Sequence, residues 1–253
     1  MQVWKTIAAW QSRREHIASR SVGFVPTMGA LHRGHASLIE RCRTENETAV
    51  VSIFVNPSQF NDPKDLERYP QTLESDLALL KELSVDDVIV PAANEMYPHG
   101  YRIRVQPDER FRIMEGLFRR GFLEGVATVV LKLLNLVRPQ RAYFGEKDYQ
   151  QLMLITDLVQ EFFIPCEIVP CPIVRAGSGL AESSRNALLS TEAQRKAASL
   201  FHTLTRANSA PEAHATLESL GFKVDYVEEH WHRRFAAAFL DSIRLIDNVP
   251  LCC

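Results

Sequence analysis

The chain has 253 residues, of which 46% are hydrophobic and 24% are charged, and its formal net charge is −2. Such a chain can bury a substantial core as one large domain or two smaller ones, and its weak charge does not favour nucleic acid or an anionic membrane as a partner. It has no apolar run near the length of about 18 residues that suggests a membrane span, and no signal-peptide pattern, so we expect a cytoplasmic protein with small-molecule partners.

Strands and helices are predicted to alternate through roughly the first 175 residues. The predicted strands are 21–27, 49–55, 87–90, 141–144 and 168–174. One predicted helix begins at residue 36, and three more span 73–83, 126–137 and 149–163. Such alternation predicts a parallel sheet with helices on both faces and ligands at the carboxyl ends of its strands. The fold class is therefore α/β, with a Rossmann-like, parallel-sheet N-terminal domain over residues 1–175.

The pattern changes after Val174, where residues 175–186 form a Gly/Ser-rich segment. Thr191 to Gln194 resembles a capping box for a helix that runs to about residue 207. A second helix at 211–220, a strand at 224–227 and a strand-like run at 243–246 follow. We expect a smaller α+β C-terminal domain, a lid, over residues 176–253.

Two histidines and two glycines lie between the first predicted strand and the next helix, in Pro26-Thr27-Met28-Gly29-Ala30-Leu31-His32-Arg33-Gly34-His35. Glycines there allow the backbone to approach a ligand, and the first-turn N–H groups of the helix are expected to point at bound phosphate. His32 and His35 can donate hydrogen bonds to the same phosphoryl oxygens. The alternative is that one histidine is a solvated turn residue and the other a helix cap.

Three further segments carry polar groups at strand or loop ends: Val55-Asn56-Pro57-Ser58-Gln59-Phe60, Phe144-Gly145-Glu146-Lys147-Asp148-Tyr149-Gln150-Gln151 and Gly179-Leu180-Ala181-Glu182-Ser183-Ser184-Arg185-Asn186. Lys147 offers a cation to a phosphate, and Gln151 is predicted one helical turn further on the same face. Taken singly, the first segment also fits an ordinary turn, the second the start of a surface helix, and the third a flexible hinge. Neither a Walker-type loop nor a Gly-x-Gly-x-x-Gly fingerprint is present.

The five cysteines, at positions 42, 166, 171, 252 and 253, form no Cys-x-x-Cys pair. Reduced thiols are expected, with Cys252 and Cys253 in a frayed tail. A zinc module built on His32, His35 and cysteines is a distant alternative, because no cysteine spacing supports it.

Together these segments, with the closing Arg244-Leu245-Ile246-Asp247-Asn248, occur in the order typical of one family and cover nearly the whole chain. The sequence closely resembles the pantothenate synthetase (pantoate–β-alanine ligase) family, within the nucleotidyltransferase superfamily. The resemblance implies that ATP and (R)-pantoate form pantoyl-adenylate and pyrophosphate with Mg²⁺, and that β-alanine then attacks the activated carboxyl and releases AMP. It also implies a homodimer, with no nucleic acid or membrane as a partner.

The resemblance also implies a role for each segment. Catalytic roles fall to His35, His32, Lys147, Ser183, Ser184 and Arg185. The ATP-binding residues are Met28, Gly29, Ala30, Leu31, His32, Arg33, Gly34, His35, Gly145, Glu146, Lys147, Asp148, Val174, Glu182, Ser183, Ser184 and Arg185. Gln59 and Gln151 are expected to bind pantoate, with Asn56 and Tyr69 as further substrate-binding residues. No metal ligand and no covalent nucleophile is assigned.

Three departures from the family pattern stand out. Arg120 and Phe122 replace a usual proline and histidine, Glu182 replaces a usual apolar residue, and the chain between Val227 and Phe235 is shorter than usual. Two alternatives stay open. A related nucleotidyltransferase with another acceptor is one, because His-x-Gly-His is shared across the superfamily. A non-catalytic ATP-binding regulator is the other, because of the altered region around Arg120 and Phe122.

Overall fold

A computed structural model of the chain describes residues 1–61 and 63–251. The fold divides into two compact units: Met1–Gly145 with Gln150–Cys171, and Glu146–Tyr149 with Pro172–Cys253. The division falls at Pro172 rather than near residue 176, and the second unit also takes in the short segment Glu146–Tyr149. Cys252 and Cys253, for which a frayed tail is predicted, lie outside the described residues.

The first unit is built on a parallel sheet. Its strands are β1 (Gln2–Trp4), β2 (Val22–Thr27), β3 (Thr48–Ile53), β4 (Asp87–Ile89), β5 (Arg141–Gly145) and β6 (Glu167–Cys171). Its helices are α1 (Ile7–His16), α2 (Arg33–Glu45), α3 (Pro63–Arg68), α4 (Leu73–Glu82), α5 (Ala93–Met96), α6 (Met114–Phe118), α7 (Phe122–Val137) and, apart from its first residue, α8 (Tyr149–Glu161). Short 3₁₀ turns lie at Pro57–Gln59 and Glu109–Phe111.

The strand order of this sheet is β1-β4-β3-β2-β5-β6, and all pairs in the described residues are parallel. From β2 the chain proceeds to β3 and β4 on one side, and later to β5 and β6 on the other. The order therefore reverses between β2 and β5, and ligands of open α/β sheets bind at the carboxyl ends of strands at such a switch point. The predicted α/β class is confirmed.

Burial explains why the apolar runs became central strands. All six residues of β3 are buried, and Val25, Val51 and Val88 pack with Ile39 of α2 and Leu80 of α4 in one hydrophobic cluster. Strands covered on both faces are near-continuous apolar sequences, which is why β2 and β3 could be predicted. The three-residue β1 and the helix α1 were not predicted, because β1 is short and largely exposed.

The second unit is an α+β structure. It contains α9 (Thr191–Ala197), α10 (Ser199–Arg206), α11 (Ala210–Ser219) and an antiparallel sheet of β7 (Lys223–His230), β8 (Arg233–Leu240) and β9 (Ile243–Pro250). The single helix predicted from 191 to 207 is two helices that meet at Ala198. The helix cap is Ser190, whose hydroxyl accepts from Ala193 N at 3.1 Å, rather than the predicted Thr191.

The shortened segment of the second unit is a tight hairpin. Trp231 and His232, the two residues between β7 and β8, have φ values of 47° and 55°. Left-handed conformations at both central residues match the twist of a two-residue hairpin. The strand predicted at 224–227 is therefore part of an eight-residue strand, and β8, which was not predicted, pairs with both neighbours.

Candidate active site

The turn after β2 carries the two histidines, and a buried carboxylate holds it in place. Asp76, which is 3% exposed, accepts hydrogen bonds from the backbone N–H groups of Ala30 (2.9 Å) and Leu31 (2.8 Å). Gly29 and Ala30 both adopt left-handed conformations, with φ values of 79° and 50°. Because that conformation is strained for a residue with a Cβ, the hydrogen bonds to Asp76 help to hold Ala30 there.

Asp76 is a residue that sequence reasoning missed. It lies in the first turn of α4, next to Leu77 and four residues before the fully buried Leu80. It therefore occupies the apolar face of the helix, where an aspartate is rarely buried without hydrogen-bond partners. That position was the signal available in the sequence.

His32 and His35 lie side by side at the start of α2, with ring centroids 4.1 Å apart. His32 is the N-cap, and its Nδ1 accepts from Gly34 N at 3.1 Å, while His35 Nδ1 accepts from His32 N at 3.3 Å. A ring nitrogen that accepts a hydrogen bond carries no proton, so the neutral tautomer of each ring is protonated on Nε2. The pair therefore offers two Nε2–H donors, which suit oxygens that gain negative charge during a reaction.

Backbone N–H groups of this turn are used within the protein. Gly29 N donates to Thr27 Oγ1 at 3.2 Å, and the N–H groups of Ala30, Leu31, His32 and Gly34 donate to the carboxylate and imidazoles described above. These groups maintain the fold of the turn. Phosphate was predicted to face the N–H groups of the first turn of α2, and of these the N–H of Gly34 donates to the His32 ring. Of the other predicted residues here, Met28 is half-buried and Arg33 is exposed.

A buried amide network follows β3. Asn56, which is 1% exposed, donates from Nδ2 to Gln59 Oε1 (3.0 Å) and to Gly125 O (3.2 Å), and its Oδ1 accepts from the Tyr97 hydroxyl (2.9 Å). Because Gln59 Oε1 accepts this hydrogen bond from Asn56, the Nε2 of the same amide points away from Asn56 and lies 3.0 Å from Met28 Sδ. Gln59 therefore presents a donor group, and Asn56 fixes its orientation.

Two other predicted substrate residues lie in the first unit. Tyr69 packs edge-on against Phe60, the residue after Gln59, with ring centroids 5.6 Å apart. Gln151 is half-buried in the first turn of α8, whereas its neighbour Gln150 is buried and donates to Phe111 O and Ile113 O. Of the two adjacent glutamines, Gln150 thus serves the fold.

Lys147 does not lie in the same helix as Gln151. It belongs to a 3₁₀ turn, Glu146–Asp148, that precedes α8, so the predicted four-residue spacing along one helix face does not apply. Within the second unit the Lys147 side chain is 19% exposed, and its ammonium lies 3.8 Å from Asp148 Oδ2. Gly145, the last residue of β5, belongs to the first unit.

The Ser-rich segment of the second unit forms an ordered loop. Glu182 N donates to Val174 O at 2.9 Å, so at this departure from the family pattern the backbone has a structural role. Ser183 caps a 3₁₀ turn, Ser184–Leu188, and its hydroxyl accepts from Arg185 N at 3.3 Å. Ser183, Ser184 and Arg185 are therefore consecutive residues at the start of one turn, all of them half-buried.

The departure at Arg120 and Phe122 removes an imidazole and adds packing. Phe122 is 7% exposed, and the guanidinium of Arg119 lies 3.6 Å from its ring centroid in a cation–π contact. The carbonyl of Arg120 accepts a hydrogen bond from Asn61 Nδ2. A phenyl ring has no group that transfers a proton, so this position supports structure rather than chemistry.

The described cysteines are buried and unreactive in character. Cys42, Cys166 and Cys171 are buried thiols outside any disulfide, and burial raises the pKa values of Cys42 and Cys166 to about 12. A thiol with such a pKa is protonated at neutral pH and is a poor nucleophile.

Neither a metal cluster nor a membrane span is found in the part of the chain that the structure describes. Within residues 1–61 and 63–251, no group of three or more His, Cys, Asp or Glu side chains is arranged to hold a metal ion, and the zinc alternative gains no support. No helix in these ranges is both long enough and apolar enough to cross a bilayer.

A parallel sheet with two imidazole donors at its switch point, and a fixed amide donor that contacts Met28 of the same turn, defines an α/β enzyme that handles nucleotides. Comparison with known proteins agrees. The family model described as pantoate-beta-alanine ligase matches residues 2–250. A pantothenate synthetase of Bdellovibrio bacteriovorus is 51% identical over 243 residues, covering 96% of this chain and 95% of the relative.

Other relatives agree over the full length. A pantothenate synthetase of Legionella pneumophila is 48% identical and covers 99% of this chain and 100% of its own. The structure of pantoate-beta-alanine ligase from Francisella tularensis, complexed with beta-gamma ATP and β-alanine, has a TM-score of 0.94 and 42% identity and covers 99% of this chain and 97% of its own. Pantothenate synthetase from Thermus thermophilus has a TM-score of 0.91 and 41% identity, covering 99% of both chains. The chain belongs to the pantoate–β-alanine ligase family.

Proposed function

We propose that this protein condenses (R)-pantoate with β-alanine to pantothenate, with ATP as the energy source. The observation that carries the proposal is the pair of adjacent imidazoles at the sheet's switch point, each with its proton on Nε2. The fixed amide of Gln59, which contacts Met28 of the same turn, supports it. Imidazole donors suit a phosphoryl group, and an amide suits the hydroxyl and carboxylate of pantoate. Family membership supplies the substrates, since the relatives are named for this reaction.

In the first step a pantoate carboxylate oxygen attacks the α-phosphorus of ATP, and the bond to the β,γ-pyrophosphate breaks. Negative charge grows on the α-phosphoryl oxygens, and His32 and His35 donate to them from Nε2. The residues proposed to bind ATP are Met28–His35, Gly145–Asp148, Val174 and Glu182–Arg185. Lys147, Ser183, Ser184 and Arg185 neutralise or donate to the phosphates.

Pantoate is held by neutral donors. Gln59 and Gln151 bind its hydroxyl and carboxylate groups, Tyr69 contributes beside Phe60, and Asn56 acts by orienting Gln59. Neutral groups are suited to this task because they bind the acid without lowering the nucleophilicity of its carboxylate as strongly as a cation does.

In the second step the amine of β-alanine attacks the carboxyl carbon of pantoyl-adenylate. The carbon–oxygen bond to AMP breaks, and the amine loses a proton as the amide forms. A carboxyl-adenylate already has a good leaving group, so positioning of the amine supplies most of the catalysis. No covalent enzyme intermediate is required.

Magnesium enters as part of the MgATP substrate. Mg²⁺ keeps several water ligands and is commonly bound through substrate phosphates with one or two protein carboxylates, so it needs no protein cage. The enzyme is further proposed to be a homodimer in the cytoplasm. The three described cysteines, all unbridged, fit a reducing compartment.

Pantoate-dependent exchange of labelled pyrophosphate into ATP tests the function. Exchange is expected with pantoate present and β-alanine absent, because adenylate formation is reversible and precedes the amine. Exchange that requires another acid would indicate a related transferase, and ATP binding without any exchange would indicate a regulator. Exchange that requires β-alanine would contradict the two-step reaction.

A further inference from the structure

Two adjacent buried polar residues, Asp247 and Asn248, lie in β9 of the second unit. Asp247 and Asn248 are 4% and 1% exposed. Each contacts a different segment of the unit, and both of those segments carry residues proposed to bind ATP phosphates.

Asn248 holds the turn that carries Lys147. Its Nδ2 donates to Glu146 O at 2.9 Å and to Lys147 O at 3.0 Å, and its Oδ1 accepts from Arg233 Nε at 2.6 Å. A guanidinium can only donate, so the Asn248 amide must turn its oxygen toward Arg233. Its NH₂ group then points toward the carbonyls of Glu146 and Lys147. The Nη1 of Arg233 also lies 3.5 Å from Glu146 Oε2, and this ion pair is a second contact that holds the same turn.

Asp247 holds the base of the Ser-rich loop. Its carboxylate forms a two-point ion pair with Arg175, at 2.6 Å and 2.9 Å. Arg175 in turn donates to Gly179 O at 3.1 Å and is bridged through its backbone to Ala181, two residues before Ser183. A paired, planar guanidinium of this kind fixes the direction of the loop as well as its position.

We propose that Asp247 and Asn248 are positioning residues that place two phosphate-binding segments of the second unit, the Lys147 turn and the loop leading to Ser183–Arg185, from adjacent positions on one rigid strand. The inference rests on the proposed function, because it requires that Lys147 and the serines meet ATP. Neither residue touches substrate. Each acts by fixing backbone that another residue uses.

The test is kinetic, with Asn248→Asp as the principal variant. It has the same shape and keeps the acceptor for Arg233, but a carboxylate has no N–H and repels the two carbonyls. The KM for ATP in pantoate-dependent exchange is expected to rise about tenfold, with the KM for pantoate changed less than about twofold. Asn135→Asp is the matched control, because that exposed amide donates only to Leu131 O of its own helix; it should leave both values unchanged.

A double-mutant cycle with Lys147→Ala separates positioning from general destabilisation. If Asn248 acts through Lys147, adding Asn248→Asp to Lys147→Ala should raise the KM for ATP by less than about threefold further. Full additivity, or an unchanged KM for ATP in Asn248→Asp alone, would overturn the role of Asn248. If the aspartate variant does not fold, Asn248→Ala takes its place in the same cycle, since it removes both donors without adding charge.

Asp247→Asn tests the other half in the same assay. It keeps the shape but weakens the ion pair with Arg175, and a severalfold rise in the KM for ATP is expected; an unchanged value overturns the role of Asp247. Absence of pantoate-dependent exchange in the unmodified enzyme would instead refute the proposed function. The two failures are thus distinguishable.

Discussion

Asp76 Oδ2 lies 2.9 Å from the backbone nitrogen of Ala30, a residue held at a φ of 50° two positions before His32. A carboxylate from α4 thus determines the backbone conformation from which the paired histidines project. The strain of a left-handed alanine persists because surrounding hydrogen bonds over-determine it.

Replacing Asp76 by asparagine should therefore lower both activity and stability. The amide keeps one acceptor oxygen but turns an NH₂ toward a backbone N–H, at a cost of about 1–3 kcal/mol in the free energy of unfolding. Exchange activity should fall at least about tenfold, because the imidazoles lose their alignment. Urea unfolding and the exchange assay measure the two effects.

Asp86→Asn is the matched control for that prediction. Its carboxylate also accepts a backbone hydrogen bond, from Ala49 N at 2.8 Å, but at the amino end of the sheet. A similar loss of activity in both variants would show that the effect is not specific to the turn.

His35→Ala tests the imidazole pair. Loss of one preorganised donor should lower turnover about 10²- to 10³-fold, equivalent to about 2.7–4 kcal/mol of transition-state stabilisation. ATP affinity, measured by calorimetry, should change far less, since the donor acts on charge that develops later. His16→Ala, at an exposed position in α1, serves as the control. Normal turnover in His35→Ala would remove this residue from the mechanism.

The two substrates should be separable by mutation. Lys147→Ala should weaken ATP binding and leave pantoate binding intact. The loss of ATP affinity should be larger at low salt, because the attraction between a lysine ammonium and the ATP phosphates is screened least there. Gln151→Ala should weaken pantoate binding by about 1–3 kcal/mol, because polar groups lose a neutral partner. Titration calorimetry of each variant with each ligand decides the matter. Loss of ATP affinity with normal pantoate affinity in Gln151→Ala would refute the division.

Gly125 is expected to be intolerant of a side chain. A Cβ at this position would lie 2.5 Å from Ser58 O and 2.8 Å from Gln59 Cα, both backbone atoms of the turn that presents Gln59. Gly125→Ala should therefore displace Gln59 and raise the KM for pantoate about tenfold or more, with stability lowered by about 1–3 kcal/mol. Gly177→Ala is the control, since no atom lies within 4 Å of a Cβ placed there.

Stability should decline in alkali because of buried thiols. Burial raises the pKa values of Cys42 and Cys166 to about 12 from the ordinary value of 9.0. As the pH rises, the unfolded chain therefore loses these thiol protons before the folded protein does. The free energy of unfolding should be highest below about pH 9 and fall as the pH rises from about 9 toward 12. Urea midpoints at about pH 8 and about pH 10.5 should differ less in Cys42→Ala than in the unmodified protein. An equal difference in both would contradict the assignment to Cys42.

The sequence by itself determined the parallel sheet and the family. Buried strands such as β3 are continuous apolar runs, so a local pattern was sufficient to find them. The segments that carry the histidines, Gln59, Lys147 and Ser183 are each contiguous in the chain, so the sequence could also predict them as the segments of the proposed site. Local pattern also led to errors where a short element interrupted it: the 3₁₀ turn at Lys147 and the break at Ala198 are decided by packing over a few residues.

Only the tertiary structure decided which residues hold these segments in place. Asp76 reaches Ala30 across 46 positions, and Asn248 reaches Lys147 across 101. Asn56 is tied to Gly125 across 69 positions, which fixes the amide of Gln59. Hydrogen bonds between residues so far apart leave no periodicity in the sequence, because they depend on where folded elements meet rather than on the repeat of a helix or a strand.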